Sequence, residues 1–393
     1  MAASRIKLEK DTQVALVLQG GGALGAYQAG VYEGVCETRI EPTWIAGISI
    51  GALNAAIIAG NPAKDRVAKL AEFWGLISKP NWLPPTTLGA EDQLGGMNPH
   101  VRSWWDTWEA WRALTEGQRG FFAPRHWLEV SGVLSSGTQP KDLGWYDTTP
   151  MLRTLNEMVD FDRINKGEMR VSVGAVNVRT GELEYFDNRN TALRAEHFLA
   201  SGSLPPSFPA VEIDGEFYWD GGVVSNTPLS YVMQNRERRN MLVMQIDLWN
   251  SQGELPETLF DVTERVKEIQ YSSRTRNVTQ IQRMHQHYNR VIRELLEEIP
   301  DSATSGNPWV RHAHEMATDA KTALIHMTYR ETAEVGHFKD YQFGRIAINE
   351  HIAAGRADIA EVISNPEWFE MPTGHDSFVM RSLHGDLKSE GAP

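Results

Sequence analysis

Three short glycine-rich segments of this 393-residue chain could do chemistry, one through its backbone N–H groups and two through a side chain set among glycines. They are Gly20-Gly21-Gly22-Ala23-Leu24-Gly25, Gly47-Ile48-Ser49-Ile50-Gly51 and Tyr218-Trp219-Asp220-Gly221-Gly222. The second is a G-x-S-x-G pattern, which between a strand and a helix puts the serine on a sharp turn with its hydroxyl thrust outward. Gly47 and Gly51 suit so tight a bend, where larger side chains would clash. The helix behind Ser49 would aim its dipole at the reacting centre. The plainer use of Ser49 is to cap that helix.

A serine needs a proton acceptor to become a nucleophile at neutral pH. In α/β-hydrolases the acceptor is a histidine that follows an acid late in the chain. His285, His287, His312, His314, His326, His337 and His351 lie downstream, but mostly in a region that reads as helical rather than on a loop after a sheet strand. Asp220 stands after an apolar stretch and before two glycines. Desolvation there would raise its basicity and let it take the serine proton directly. On its own, Asp220-Gly221-Gly222 reads first as an ordinary turn.

The first segment fits G-x-G-x-x-G, the phosphate-binding turn of dinucleotide enzymes. That use needs an acid at the end of the second strand, where this chain has Gly47-Ile48-Ser49; Glu41 precedes that strand. An oxidoreductase therefore lacks its ribose partner. The alternative is an oxyanion hole, in which glycines bring backbone N–H groups close to a developing charge at a helix N-terminus. A simple strand-to-helix turn is the third reading.

The elements that must hold these segments follow from hydrophobic pattern. Residues 14–19 form an apolar run typical of a strand buried on both faces. A helix follows over 25–38, a strand over 44–48 and a helix over 51–59, a rhythm that predicts a parallel α/β sheet. Seven of the 13 tryptophans lie between Trp74 and Trp127, within a segment that breaks the rhythm and reads as an insertion over about 74–145. Its tryptophans suit either a lid at an apolar–water boundary or a small core of their own. The pattern resumes with a strand over 169–178, a hairpin arm over 183–186, a loop-rich stretch over 196–228 and a strand over 240–248. From about 258 only helices are expected, over 258–299, 308–331 and 354–363, and residues 371–393 read as a flexible tail.

Taken together and in order, the three segments resemble the patatin-like phospholipase family. The likeness extends to Ala52-Leu53-Asn54, to Ala200-Ser201-Gly202 with the prolines behind it, and to Asn226 and Pro228, and covers about residues 12–250. It implies a three-layer α/β/α core with a mainly parallel sheet, followed by a helical C-terminal region over 251–370 similar to an extension found in some bacterial members. It also implies a lipid acyl hydrolase with a Ser-Asp dyad. Ser49 is then the nucleophile and Asp220 the base. Gly20, Gly21, Gly22 and Ala23 form the oxyanion hole, and Gly25, Gly47, Gly51, Gly221 and Gly222 support the motifs. One departure is Leu24, where many members carry Arg or Lys. Its apolar side chain favours a neutral ester or other acyl substrate over a phospholipid. The competing reading on the same fold is a non-catalytic lipid-binding or regulatory protein.

Bulk properties bound the partners. With 41% hydrophobic and 23% charged residues the chain is that of a folded protein. A net charge of -13 argues against nucleic-acid binding and against bulk attraction to anionic membranes. The single cysteine, Cys36, permits no internal disulfide and no thiolate metal cluster. No metal or organic cofactor is expected. Residues 1–13 lack the apolar core of a signal peptide, and the most apolar stretch, 44–60, contains Ser49, Asn54 and three glycines and is short for a span. The expectation is a cytoplasmic protein, peripheral to membranes if it meets them. Residues 274–293 mix five arginines with Val278, Ile281 and Val291, which suits an interfacial or subunit-contact helix, a solvated face being the plainer account.

Overall fold

The computed structural model describes residues 6–384 except 7, 39, 80–98, 127–138, 236, 238, 274, 300–306, 317–319, 331–338 and 374–375. The chain opens with strand β1 (Gln13–Leu18), helix α1 (Ala26–Glu37), β2 (Trp44–Gly47) and α2 (Ile50–Ala59). Helices α3 (Arg66–Ile77), α4 (Pro99–Glu116) and α5 (Thr149–Met158) lead to β3 (Arg170–Asn177) and β4 (Leu183–Asp187). Then come α6 (Ala195–Ser201), β5 (Val211–Ile213), β6 (Glu216–Asp220) and β7 (Met241–Asp247). The C-terminal part holds α7 (Leu259–Tyr271), α8 (Thr275–Glu298), α9 (Pro308–Met316), β8 (Thr322–Thr328), α10 (Arg345–Ile363) and β9 (Phe378–Leu383).

Nine strands form one sheet in the order β9-β8-β7-β1-β2-β3-β6-β5, with β4 also paired to β3. The strands from β9 to β3 run parallel, and β4, β5 and β6 join antiparallel. All six β1 residues are buried. Val14, Leu16 and Leu18 feed one apolar cluster and Ala15 and Val17 the other, so helices cover both faces and the core has three layers. The expected insertion supplies α4 and a short two-stranded ladder between Ala123–Pro124 and Tyr146–Asp147. Trp74 is a core residue whose indole N–H donates to Asn54 (3.1 Å), while Trp108 and Trp111 are exposed. Trp82 and Trp127 lie outside the described residues.

The expectation for residues beyond 258 needs correction. Helices do occupy much of that part, but Thr322–Thr328 and Phe378–Leu383 are strands that extend the central sheet beyond β7. Every residue of β8 is buried, so its apolar run carries no alternation to tell a strand from a helix. Part of the presumed tail is thus a strand paired in register with β8. Among the described residues no helix is long and apolar enough to cross a membrane.

The C-terminal part is fastened through α10, which crosses α1 at glycines. A Cβ on Gly355 would stand 2.2 Å from the Tyr27 carbonyl oxygen, and one on Gly30 2.0 Å from that of Ile352. The Tyr27 hydroxyl also donates to Asp358 (2.7 Å). Gly355→Ala should therefore destabilise the protein by about 1–3 kcal/mol through overpacking, although alanine is the better helix former. Denaturant unfolding checks this, and equal or greater stability would show that the helices can move apart.

Candidate functional site

Ser49 occupies the two-residue gap between β2 and α2. Its backbone lies at φ 54°, ψ -127°, and its side chain makes no capping bond to α2. Such a conformation is costly for a residue with a Cβ and persists only where the surroundings impose it. Two contacts impose it here. The Ser49 N–H donates to Ser201 Oγ (3.0 Å), and that buried hydroxyl donates to the Gly174 carbonyl (2.7 Å). Behind the bend, a Cβ on Gly51 would stand 2.4 Å from the Leu18 carbonyl oxygen, so the strand-to-helix turn closes only with glycine there.

Asp220 reaches the same place through the sheet. One edge of β3 is paired with β4 from Ser172 to Val176. The other edge is shared: β2 occupies it as far as Val173, opposite Gly47, and β6 takes it over from Ala175, opposite Asp220. Asp220 therefore arrives where β2 leaves the sheet for Ser49. Asp220 is 2% exposed, and its carboxylate accepts the Gly222 N–H (2.7 Å). Burial pushes its pKa up to about 7, against the downward pull of the neighbouring Ser49 side chain and the Gly222 N–H. A carboxylate so tuned is partly ionised at neutral pH and suited to take a proton.

The glycine loop lies beside this pair. Gly20 differs from the expectation as an oxyanion donor, because its N–H is already given to the Asn226 carbonyl (3.2 Å). Its own carbonyl accepts from Asn226 Nδ2 (2.8 Å) and Trp249 Nε1 (2.9 Å), so Gly20 anchors the loop. Among the described residues no acceptor takes the Gly21 or Gly22 N–H. Gly22 sits at φ 55°, and a Cβ on it would stand 2.3 Å from the Asp340 carbonyl oxygen. Gly20, Gly21, Gly22, Ser49, Asp220 and Gly222 line one cleft with about 640 Å³ of empty space, open solvent included. Ala23 is not among the lining residues; its side chain, like that of Leu24, is fully buried in the core.

No histidine is among the described residues that line the cleft. His326 pairs instead with Asp247 (2.7 Å) across β8 and β7, and the ring of His351 packs edge-on to that of Tyr329. His337 lies outside the described residues.

Much of the cleft wall carries no sequence motif. Phe121 and Phe122 come from the insertion, Leu204 and Phe208 from the stretch after α6, and Tyr271, Asp340, Tyr341 and Phe343 from the C-terminal part. The insertion thus meets the cleft with phenylalanines. Phe121 packs on Phe343 (ring centroids 5.5 Å apart) and Phe122 on Phe208 (5.3 Å), which joins the three regions. The short turn Lys339–Tyr341 is held against α7 by crossed ion pairs, Lys267 with Asp340 (2.8 Å) and Lys339 with Glu268 (2.7 Å).

Family models agree with this architecture. The family model described as patatin-like phospholipase matches residues 16–233, and one described as patatin phospholipase matches residues 269–375. Among solved structures the chain is similar to VipD from Legionella pneumophila, with 15% identity over 90% of this chain and 67% of that one and a TM-score of 0.38. It is also similar to a chain of the heterodimeric ExoU–SpcU complex from the type III secretion system of Pseudomonas aeruginosa, with 12% identity over 78% and 66% and a TM-score of 0.26. The chain thus spans about two thirds of the length of each. None of the curated proteins compared with it matches.

The raised pKa of Asp220 has a consequence for stability. Unfolding would return it from about 7 to about 3.8. Between these values the unfolded chain binds fewer protons than the folded one, so this group's contribution lowers stability as pH rises through about 4 to 7, and the penalty persists above. Asp220→Asn removes the penalty. We expect the variant to be more stable than the parent at pH 8, by up to a few kcal/mol, and the gap to narrow toward pH 4. Denaturant unfolding of both proteins at the two pH values checks the sign.

Proposed function

This chain belongs to the patatin-like phospholipase family, and we propose that it is a lipid acyl hydrolase working through Ser49 and Asp220 without a histidine. The observation that carries the reading is the convergence of Ser49 and Asp220 on one cleft, with the carboxylate buried enough to hold its pKa near neutrality. As Ser49 Oγ attacks the ester carbonyl carbon, its proton passes to Asp220 and the carbonyl electrons move onto oxygen. The N–H groups of Gly21 and Gly22 stabilise that oxyanion at the positive end of the helix that follows. Collapse expels the alcohol, which takes the proton from Asp220 and leaves an acyl group on Ser49. Water, deprotonated by Asp220, attacks the acyl carbon; the bond to Ser49 Oγ breaks, Oγ takes the proton back from Asp220, and the acid leaves. No step calls on a metal or an organic cofactor.

Substrate class follows from the lining. Phe121, Phe122, Phe208 and Phe343, with Leu53 and Leu204, give the acyl chain an apolar wall. Among the described lining residues there is no lysine or arginine, and the nearby Lys267 is already paired with the Asp340 carboxylate. An anionic phosphate finds no counter-charge among those lining residues, so a neutral acyl ester fits better.

A fluorophosphonate should label the wild-type protein and fail to label Ser49→Ala. Asp220→Asn should lower ester turnover by about 10²–10⁴-fold, and the remaining wild-type rate should rise with pH through about 7 as Asp220 ionises. His326→Gln and His351→Gln should keep most of the activity. A histidine variant as inactive as Ser49→Ala would overturn the dyad.

A further inference from the structure

Helices α7 and α8 are turned opposite to ordinary surface helices, which face the core with an apolar stripe. In α7, Asp261, Glu264, Arg265, Lys267 and Glu268 are half-buried. Lys267 and Glu268 hold the turn Lys339–Tyr341 through the crossed ion pairs, and Arg265 pairs with Glu268 (2.8 Å). Four apolar residues of α7 face outward: Leu259 is 85% exposed, Ile269 59%, Val266 55% and Val262 43%, with Leu255 just upstream at 90%. Their 3-4-3 spacing puts them on one side of the helix. Helix α8 shares part of this pattern, although its Val278 packs against the core. Thr275, Thr279 and Gln286 are buried, while Ile281, Met284, Tyr288 and Val291 are exposed.

We infer that this outward apolar face is where the protein seats on a lipid surface. The inference rests on the reading of the cleft as a lipid acyl hydrolase site. Continuity with the cleft identifies the occupant. Tyr271, the last residue of α7, lines the cleft, and so do Asp340, which α7 grips through Lys267, and its neighbour Tyr341. A lipid layer against α7 therefore meets the edge that an acyl chain must cross. A protein partner on the same face would stand in front of that edge. Charge points to a neutral or zwitterionic surface. The chain carries -13, and the α7 cations Arg265 and Lys267 are engaged by Glu268 and Asp340. Attachment is then driven by apolar burial rather than by attraction to anionic headgroups.

The test uses the full chain with Ser49→Ala, so that lipid is bound but not consumed, and phosphatidylcholine vesicles in a sedimentation assay. The parent should partition onto the vesicles, and Val262→Glu with Val266→Glu should weaken partitioning about tenfold or more. With Ser49 intact, the same pair should leave turnover of a monomeric short-chain ester unchanged, which also reports correct folding. Leu259→Ser with Ile269→Ser serves if the first pair fails to fold. Vesicle binding that survives both pairs overturns the docking face. So does a parent that ignores vesicles and forms a dimer that either pair splits. Vesicle binding lost with the pairs, but no ester turnover by the wild type, would overturn the hydrolase and leave the docking face standing.

Discussion

The edge of β3 is where the molecule's geometry is decided. Two strands share it in succession, parallel β2 and then antiparallel β6, and the change of partner leaves a gap between Val173 and Ala175. One strand departs through Gly47 into the strained Ser49, and the other arrives ending in Asp220. Hydrogen-bond registry thus brings together two side chains far apart in sequence. A one-residue slip of β6 would turn Asp220 to the other face of the sheet and break the pair, because side-chain direction alternates along a strand.

Two unfavourable features meet there, a positive φ at a residue with a side chain and a carboxylate cut off from water. Each is compensated locally. The Ser201 hydroxyl bridges the Ser49 N–H to the Gly174 carbonyl, and the Gly222 N–H together with the serine side chain offsets part of the desolvation of Asp220. Asn226 secures the third component, since its backbone and side chain between them occupy both polar groups of Gly20. With Gly20 fixed, the N–H groups of the next two residues remain for other use.

The motif residues were legible because each obeys a local rule. Glycine is demanded where a Cβ would collide, as at Gly51, and the strand-turn-helix rhythm around residues 14–59 has clear periodicity. The strands β1, β2, β3 and β7 fall within a residue or two of their expected limits for the same reason. The C-terminal strands were not legible. Thr322–Thr328 is buried on both faces and shows no alternation, and Phe378–Leu383 gains its identity from pairing with β8. The cleft wall is a purely tertiary product, since Phe121, Phe208 and Phe343 share no pattern and meet only after folding. Nor could sequence show that the Gly20 N–H is already engaged, because its acceptor at Asn226 lies in a distant segment.

The position of the turn Lys339–Tyr341 against the glycine loop has a consequence for biosynthesis. Ser49 and Asp220 leave the ribosome well before the turn that walls their cleft. Strand β7 likewise waits with an unpaired edge until β8 follows it out. A nascent chain therefore holds Ser49 and Asp220 beside an unfinished wall and an open strand edge, and both are closed only as the last third of the polypeptide emerges.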